Sequence, residues 1–413
     1  MAKEMRNSGI QWIGEIPSTW NTVRFKYLHN GLNTGEAIDK EFWSKEESDL
    51  VFYTAGLTPI RTKYLDFPLW KFTQANDILL ARNGTPYVYF PTVGACYTDH
   101  IIRASMKQNV NRRFVQYALQ QSIASVVVDS VSIATWSASL WNAQYLPWPT
   151  EEEQNRIVDF LDHKCAEIDS VIEDTQRTLE EYRALRKAII TKAITKGVRG
   201  ARDMKDSGSV WFGEIPAEWR MVRLKYMFHI KKDIAGKEGY TVLSITQRGI
   251  TPKNIESNEG QLAADYSKYQ LVEPGDFAMN HMDLLTGWVD ISKYDGVTSP
   301  DYRVFVLDDE ASNKEYYLYM MQMCYFNRIF YGLGQGVSGM GRWRLQADKF
   351  LNFYIAVPPA EEQVEIVEAL KKQLSEMDAL ITAKEQLLIE MESYKKSVIY
   401  EYVTGKKEVP ACQ

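Results

Sequence analysis

Cysteine and histidine are scarce in this 413-residue chain, which holds only Cys96, Cys165, Cys324 and Cys412 and the histidines His29, His100, His163, His229 and His281. With no Cys-x-x-Cys spacing among them, neither a disulfide framework nor a zinc site is supported. Long hydrophobic runs are missing as well: no stretch approaches the ~18–20 apolar residues of a membrane span. The opening Met-Ala-Lys-Glu-Met-Arg-Asn-Ser-Gly has no apolar core of a secretion signal, so the expectation is a cytoplasmic protein with no membrane partner. Positive charge is in deficit, with a net charge of −6, whereas nucleic-acid-binding domains often carry a basic excess. That sum conceals an uneven distribution: residues 151–181 hold eleven acidic and three basic side chains, and residues 182–202 hold seven basic and none acidic. An acidic segment of this kind masks basic surfaces elsewhere.

Reaction motifs are absent too. There is no Gly-x-x-x-x-Gly-Lys-Ser/Thr phosphate loop, no Asn/Asp-Pro-Pro-Tyr/Phe, no His-Glu-x-x-His, and no Pro-Asp followed by Asp/Glu-x-Lys. The cluster Gly334-Gln-Gly336-Val-Ser-Gly339 matches the glycine spacing of a dinucleotide fingerprint, but that fingerprint needs a strand before it, a helix after it and an acidic residue ~20 positions on. Here an aromatic, helix-like stretch precedes it and Met340-Gly341-Arg342-Trp343-Arg344 follows. A glycine loop presenting two arginines to a polyanion fits better.

What the chain does contain is a duplication. Residues 7–27 and 206–226 match without a gap at an offset of 199, with twelve of 21 positions identical, including Trp12/Trp211, Gly14/Gly213, Glu15/Glu214, Pro17/Pro216, Trp20/Trp219, Arg24/Arg223 and Tyr27/Tyr226. Two copies of one unit imply a function performed twice. Each copy begins with short aromatic and β-branched runs, such as 87–94 and 302–307, which predict strands, together with helices near 112–128 and 313–331. Further landmarks recur: Asn76-Asp77 against Gly275-Asp276, and Gly94 to His100 against Gly296 to Tyr302. Between them length and chemistry diverge, which suggests one scaffold carrying two different recognition surfaces.

Each copy ends in a long, charged segment nearly free of Gly and Pro, 150–196 and 359–404, read as one extended helix. Apolar residues recur every seven positions: Leu161, Ile168, Thr175, Tyr182 and Ile189 interleave with Cys165, Ile172, Leu179, Arg186 and Ala193. In the second segment Leu370, Met377, Lys384, Met391 and Val398 interleave with Leu374, Ile381, Leu388, Lys395 and Tyr402. This register predicts a coiled coil, against the plainer reading of two amphipathic helices in a bundle. Both helices open alike, Pro149-Thr150-Glu151-Glu152-Glu153-Gln154 and Pro358-Pro359-Ala360-Glu361-Glu362-Gln363, with proline and carboxylates where exposed amides carry partial positive charge.

Antiparallel pairing sets the basic tail of the first helix (Arg183, Arg186, Lys187, Lys192, Lys196) beside the acidic head of the second (Glu361, Glu362, Glu365, Glu368), where parallel pairing would oppose two acidic heads. At ~1.5 Å per residue each helix is on the order of 65–70 Å long. The expected architecture is therefore α+β: two α/β domains separated by two long antiparallel coiled-coil helices, with approximate two-fold symmetry. The expected boundaries are 1–149 and 201–357 for the domains, and 150–200 and 358–413 for the helices and tail.

This arrangement resembles the specificity subunit of type I restriction–modification systems. The resemblance rests on Trp12-Ile-Gly-Glu-Ile-Pro17 and its copy at Trp211 to Pro216, the two Glu-Glu-Gln helix starts, Asp77 and Asp276 in a Gly-Asp-type turn, and Thr404-Gly405-Lys406 after the second helix. It spans essentially the whole chain and implies a DNA-reading module without catalysis. Each globule would be a target recognition domain for one half of a split site, and the helices would set the spacer and dock two modification subunits. Glu152, Glu153, Gln154, Glu361, Glu362 and Gln363 are the candidate partner contacts. Two restriction subunits would complete the complex, with S-adenosylmethionine, ATP and Mg expected on the partner subunits and no cofactor in this chain. Asn76 departs from the family pattern, since the first domain lacks the glycine of that turn.

Base readout needs Arg, Lys, Asn, Gln or Ser/Thr at groove edges. The candidates are Arg82, Asn83, Thr85 and Tyr87 in the first domain, and Asn280, His281, Arg342 and Arg344 in the second. The competing reading is core packing for Tyr87 and stacking on Trp343 for its neighbouring arginines. Trp12, Trp20, Trp211 and Trp219 are expected to pack where globule meets helix. A different class of function, a coiled-coil scaffold whose globules bind proteins rather than DNA, remains the alternative.

Overall fold

The duplicated text folds the same way in both places. Met5–Asn7 pairs antiparallel with Glu15–Pro17, Met5 opposite Pro17, and Met204–Asp206 pairs with Glu214–Pro216, Met204 opposite Pro216. Gly14 and Gly213 close these hairpins at φ of 67° and 57°, a left-handed conformation that glycine adopts without steric cost. Next, Asn21–Arg24 pairs with Tyr145–Trp148, and Arg220–Arg223 pairs with Tyr354–Val357. A single 3-10 turn follows each, at Phe25–Tyr27 and Leu224–Tyr226. The structure, a computed structural model, describes residues 4–83, 86–124, 135–254, 265–335 and 343–410.

Contacts divide the chain into two units, residues 1–176 with 386–413, and residues 177–385. In the first, an antiparallel sheet runs in the order His29–Thr34, Ile101–Met106, Asp77–Ala81, Val88–Tyr89. Ile78, Leu80, Ile102 and Ala104 on one face pack with Phe114, Val115, Ala118 and Leu119 of the helix Arg112–Ala124. The second unit repeats this order with Phe228–Lys231, Arg303–Leu307, Phe277–Met279 and Val289–Ile291. Its face of Phe277, Met279, Phe305 and Leu307 meets Tyr316, Tyr317, Met320 and Met321 of the helix Lys314–Phe326. Each fully buried Ile, Leu, Val, Phe or Met among them contributes about 1.5–3 kcal/mol of hydrophobic stabilisation.

The second strand layer differs between the units. The first has a four-stranded sheet ordered Cys96–Tyr97, Leu50–Tyr53, Ile60–Thr62, Trp43–Ser44. The second has two ladders, Leu243–Thr246 with Gly249–Pro252 and Gln270–Val272 with Gly296–Thr298, joined by a parallel bridge between Val242 and Val297 that repeats the parallel pairing of Cys96–Tyr97 with Leu50–Tyr53; the outermost strands are what differ.

The long helices span Glu151–Lys196 and Ala360–Val403. Every residue of the seven-residue register is buried or half-buried, from Leu161 to Ala193 and from Leu370 to Tyr402. In the first unit, Phe160 packs on Tyr402 at 4.4 Å between ring centres and Asp169 pairs with Lys395 at 2.6 Å. In the second, Arg199 meets Glu365 at 2.8 Å, Arg186 meets Asp378 at 2.7 Å and Arg183 meets Glu385 at 2.5 Å. Within each unit, higher numbers on one helix meet lower numbers on the other, so the pairing is antiparallel. Near the end of the first helix the buried set shifts to Ile190, Ala193 and Ile194, because there the helix also packs against its unit's globule.

Two sequence expectations are trimmed. The strand expected over 87–94 contracts to Val88–Tyr89, since the chain turns away at Phe90-Pro91. The helix expected over 313–331 breaks after Phe326, where Arg328 takes φ of 57°, and resumes at Ile329–Leu333. Among the described residues, no helix is long and apolar enough to cross a membrane.

Candidate nucleic-acid interface

The aspartates of the duplicated turn are structural. Asp77 Oδ2 accepts from the Gln74 amide at 2.7 Å, and Asp276 Oδ2 accepts from the Glu273 amide at 2.9 Å, the same three-residue return in both units. Both carboxylates are buried beside a buried or nearly buried cation: Arg103 at 3.6 Å from Asp77, and Lys231 at 2.9 Å from Asp276. The turn therefore fixes the start of the strand that leads to the candidate readers, and needs no glycine before the aspartate to do so.

Arg82 lies just past that strand, exposed, with its amide donating to His100 O and its carbonyl accepting from the Trp136 amide. Asn83 is half-buried and its Nδ2 donates to Nδ1 of the exposed His100 at 2.6 Å. Arg82, Asn83 and His100 thus form one polar edge of the first unit, and His100 was not among the candidates. Tyr87 packs edge-on against Tyr89 at 4.8 Å in a cluster with Tyr53 and Tyr97, so core packing describes it. Thr85 lies outside the described residues.

In the second unit Asn280 is committed to its own loop: Oδ1 accepts from the amides of Met282 and Asp283, and its carbonyl accepts from the Tyr325 hydroxyl at 2.7 Å. His281 is half-buried, and its carbonyl accepts from the Leu345 amide at 3.0 Å. Burial, reinforced by the nearby cations Arg303 and Arg344, pushes its imidazole down to about 4, so it is neutral at pH 7. Arg344 is half-buried and exchanges backbone hydrogen bonds with Gln335. The structure therefore brings His281 and Arg344 together. Arg342 and most of the 334–339 glycine cluster lie outside the described residues.

The helix starts are only partly outward-facing. Glu152 and Glu361 are exposed and Glu153 is half-buried. Gln154 and Gln363 are buried and turn back on their own entrances, donating to Pro149 O and Pro358 O at 3.1 Å in both cases. Glu362 is fully buried, accepting from Trp219 Nε1 at 3.0 Å and pairing with Arg202 at 2.6 Å. For Gln154, Glu362 and Gln363 the contacts are internal to the unit, which corrects the expectation that all six face a partner. A carboxylate at a helix start serves the amides of that helix and here also an indole beside it.

Trp20 and Trp219 pack where globule meets helix. Beside them sit the glycines that end the long helices, Gly405 at φ of 69° and Gly197 at φ of 72°. Trp12 and Trp211 behave differently. Trp12 donates from Nε1 to Tyr145 O within its globule, and Trp211 is 41% exposed beside Gly332.

A surface not selected from the sequence lies on the duplicated frame itself. Arg24 sits over the Tyr145 ring at 4.7 Å and Lys26 over Tyr27 at 4.8 Å. Arg223 over Tyr354 at 5.0 Å and Lys225 over Tyr226 at 5.2 Å repeat the arrangement. The signal was present in the sequence as identity between repeats, but identity alone does not separate buried frame from exposed surface.

The model of the type I restriction modification DNA specificity domain matches residues 216–391. The type I restriction enzyme MjaVIII specificity subunit of Methanocaldococcus jannaschii is 24% identical over 359 residues, covering 83% of this chain and 78% of that protein. A chain from a solved type I R-M system, studied for complex assembly and conformational transition, superposes with a TM-score of 0.64 at 13% identity, covering 95% of this chain and 99% of the other. Residues 216–391 thus carry the likeness to the type I restriction modification DNA specificity domain, and most of the chain is similar to a type I restriction enzyme specificity subunit.

Proposed function

We propose that the two units each read one half of a split DNA site, with the long helices setting the unread spacer. The observation that carries this reading is one retained frame with unlike edges: the hairpin, main sheet order and helix starts recur, while the outermost strands of the second layer, Trp43–Ser44 in one unit and Gln270–Val272 in the other, and the Arg82 and His281 edges do not. A protein that performed one task twice would have no reason to vary those parts together. In this reading the chain supplies specificity and no chemistry. Methyl transfer belongs to two modification subunits carrying S-adenosylmethionine, and ATP- and Mg-dependent translocation and cleavage belong to two restriction subunits. The helices are the surface those modification subunits dock on, with the exposed Glu152 and Glu361 among the available contacts.

Half-sites approached from one face of the duplex lie ~10–11 base pairs apart, centre to centre. Sequencing methylated bases in a host that carries the chain with its modification subunits tests the reading. The expected outcome is one asymmetric, interrupted motif with methylation in both halves. An uninterrupted or absent motif would sink it.

A further inference from the structure

A retained surface needs a different explanation from a retained core. In the duplicated text, Ile16/Ile215, Pro17/Pro216 and Trp20/Trp219 are buried, and packing accounts for them. Packing does not account for Lys26/Lys225 or Tyr27/Tyr226, which are exposed, the two tyrosines by 58% and 69%. Arg24 is also exposed and Arg223 half-buried, and each lies over the tyrosine opposite it in the same strand pair, Tyr145 and Tyr354.

Several cations elsewhere are held by carboxylates: Arg113 by Asp162, Lys71 by Glu36, Lys231 by Asp276, Arg183 by Glu385. Among the described residues Arg24, Lys26, Arg223 and Lys225 have no acidic partner and rest on aromatic faces instead. In a chain of net charge −6, each unit therefore presents the same small, unneutralised, cationic and phenolic patch.

We infer that these patches hold the phosphate backbone of duplex DNA, one patch per half-site. The inference rests on the DNA-reading function proposed above and divides its labour. Arg, Lys and Tyr hydroxyls are phosphate-contacting groups, and phosphate contacts fix orientation while carrying no sequence information. Phosphates are the same at every half-site, whereas base edges are not. Groups that grip the backbone are thus the ones two diverged readers have reason to keep in common, and the stacked rings hold each cation in place before contact.

The test uses the full chain assembled with its modification subunits and compares Lys26→Gln/Lys225→Gln with the unaltered complex. Binding is measured over a salt series on the complex's own target and on an unrelated duplex. The expected result is a several-fold loss, equal on both duplexes, with the slope of log affinity against log salt reduced by about 2 for the double variant. Lys26→Arg/Lys225→Arg should keep the slope. A loss confined to the cognate target makes the patch a base reader and overturns the inference. An unchanged slope overturns it too, and if subunit assembly also fails, the patch docks protein. If the unaltered complex shows no salt-sensitive binding, the DNA-reading function itself falls, a result distinct from failure of the lysine variants alone.

Discussion

The main sheets of the two units have the same strand order, yet an arginine on the second strand of each points to opposite sides. Arg103 pairs across from Leu79, two residues after the turn aspartate Asp77, and Arg303 pairs across from Met279, three residues after Asp276. Side chains alternate across a sheet, so one residue of displacement changes the face. Arg103 lies on the outer side, near Asp77, donating to Trp70 O and Phe72 O at 2.7 and 3.0 Å. Arg303 lies on the helix side, over Phe350 at 4.9 Å and donating to Leu345 O at 2.8 Å. Burial pushes its guanidinium down to about 10. The vacated role beside Asp276 passes to Lys231 on the neighbouring strand, which shares that face. One scaffold thus accepts different charge placements while the turn aspartate keeps a partner, and a reading surface diverges without loss of fold.

The largest effect should come from exchanging residues 1–149 for the equivalent domain of a type I specificity subunit that reads a different site. Only one half of the methylated motif should change, and if both halves change, the units are not independent readers.

Stability should separate the units next. Glu362→Ala strands the Arg202 guanidinium and the Trp219 indole, and the expected cost is about 3–5 kcal/mol in chemical unfolding of the second unit. Glu153→Ala, at the matching but half-buried position in the first unit, should cost less. Equal losses would mean the two helix starts are anchored alike.

A pH contrast follows from His281, whose matching position in the first unit is the exposed Arg82. The imidazole titrates at about 4 when folded against 6.5 when free, so between those values the unfolded chain binds the extra proton. The stability of keeping it neutral is complete above pH 6.5 and declines as pH falls toward 4, by about 3 kcal/mol. NMR titration of the ring should show it neutral at pH 5.5, and a midpoint near 6.5 would remove the effect.

The last change tests likeness rather than difference, and its floor is the smallest. Gly197→Ala and Gly405→Ala each force a side chain into left-handed backbone, with the new Cβ against Arg202 Nη2 and 2.6 Å from Glu362 Oε1 in one case and 2.6 Å from Pro17 Cδ in the other. Each should lower stability by at least about 1 kcal/mol in calorimetry. A neutral result at one site alone would show that the two helix ends are not equivalent.

Much of this was legible in the chain. The duplication, the long helices and their seven-residue register depend on local text and periodicity, and Leu161, Ile168, Leu370 and Leu374 are buried where the register places them. The candidate site was legible only in part. Tyr87 and Asn280 have residue types suited to contacting DNA, but Tyr87 packs among tyrosines and Asn280 closes its own loop. His100 is visible in the sequence only as a landmark, because its relation to Asn83 spans 17 residues. Lys26 and Tyr27 stood in the duplicated text beside Trp20, and nothing in the letters distinguishes a repeated surface from a repeated core.

That one frame is used twice follows from covalent order and apolar period, which specify helices, hairpins and their recurrence. Which recurring residues face inward depends on the packing of the folded chain. That packing buried Glu362 against Trp219, turned Arg103 and Arg303 to opposite faces, and left Lys26 and Lys225 in solvent without an acidic partner among the described residues. The physical reason is that burial and ion pairing are set by groups distant in the chain, and a single step of strand register is enough to exchange one set for another.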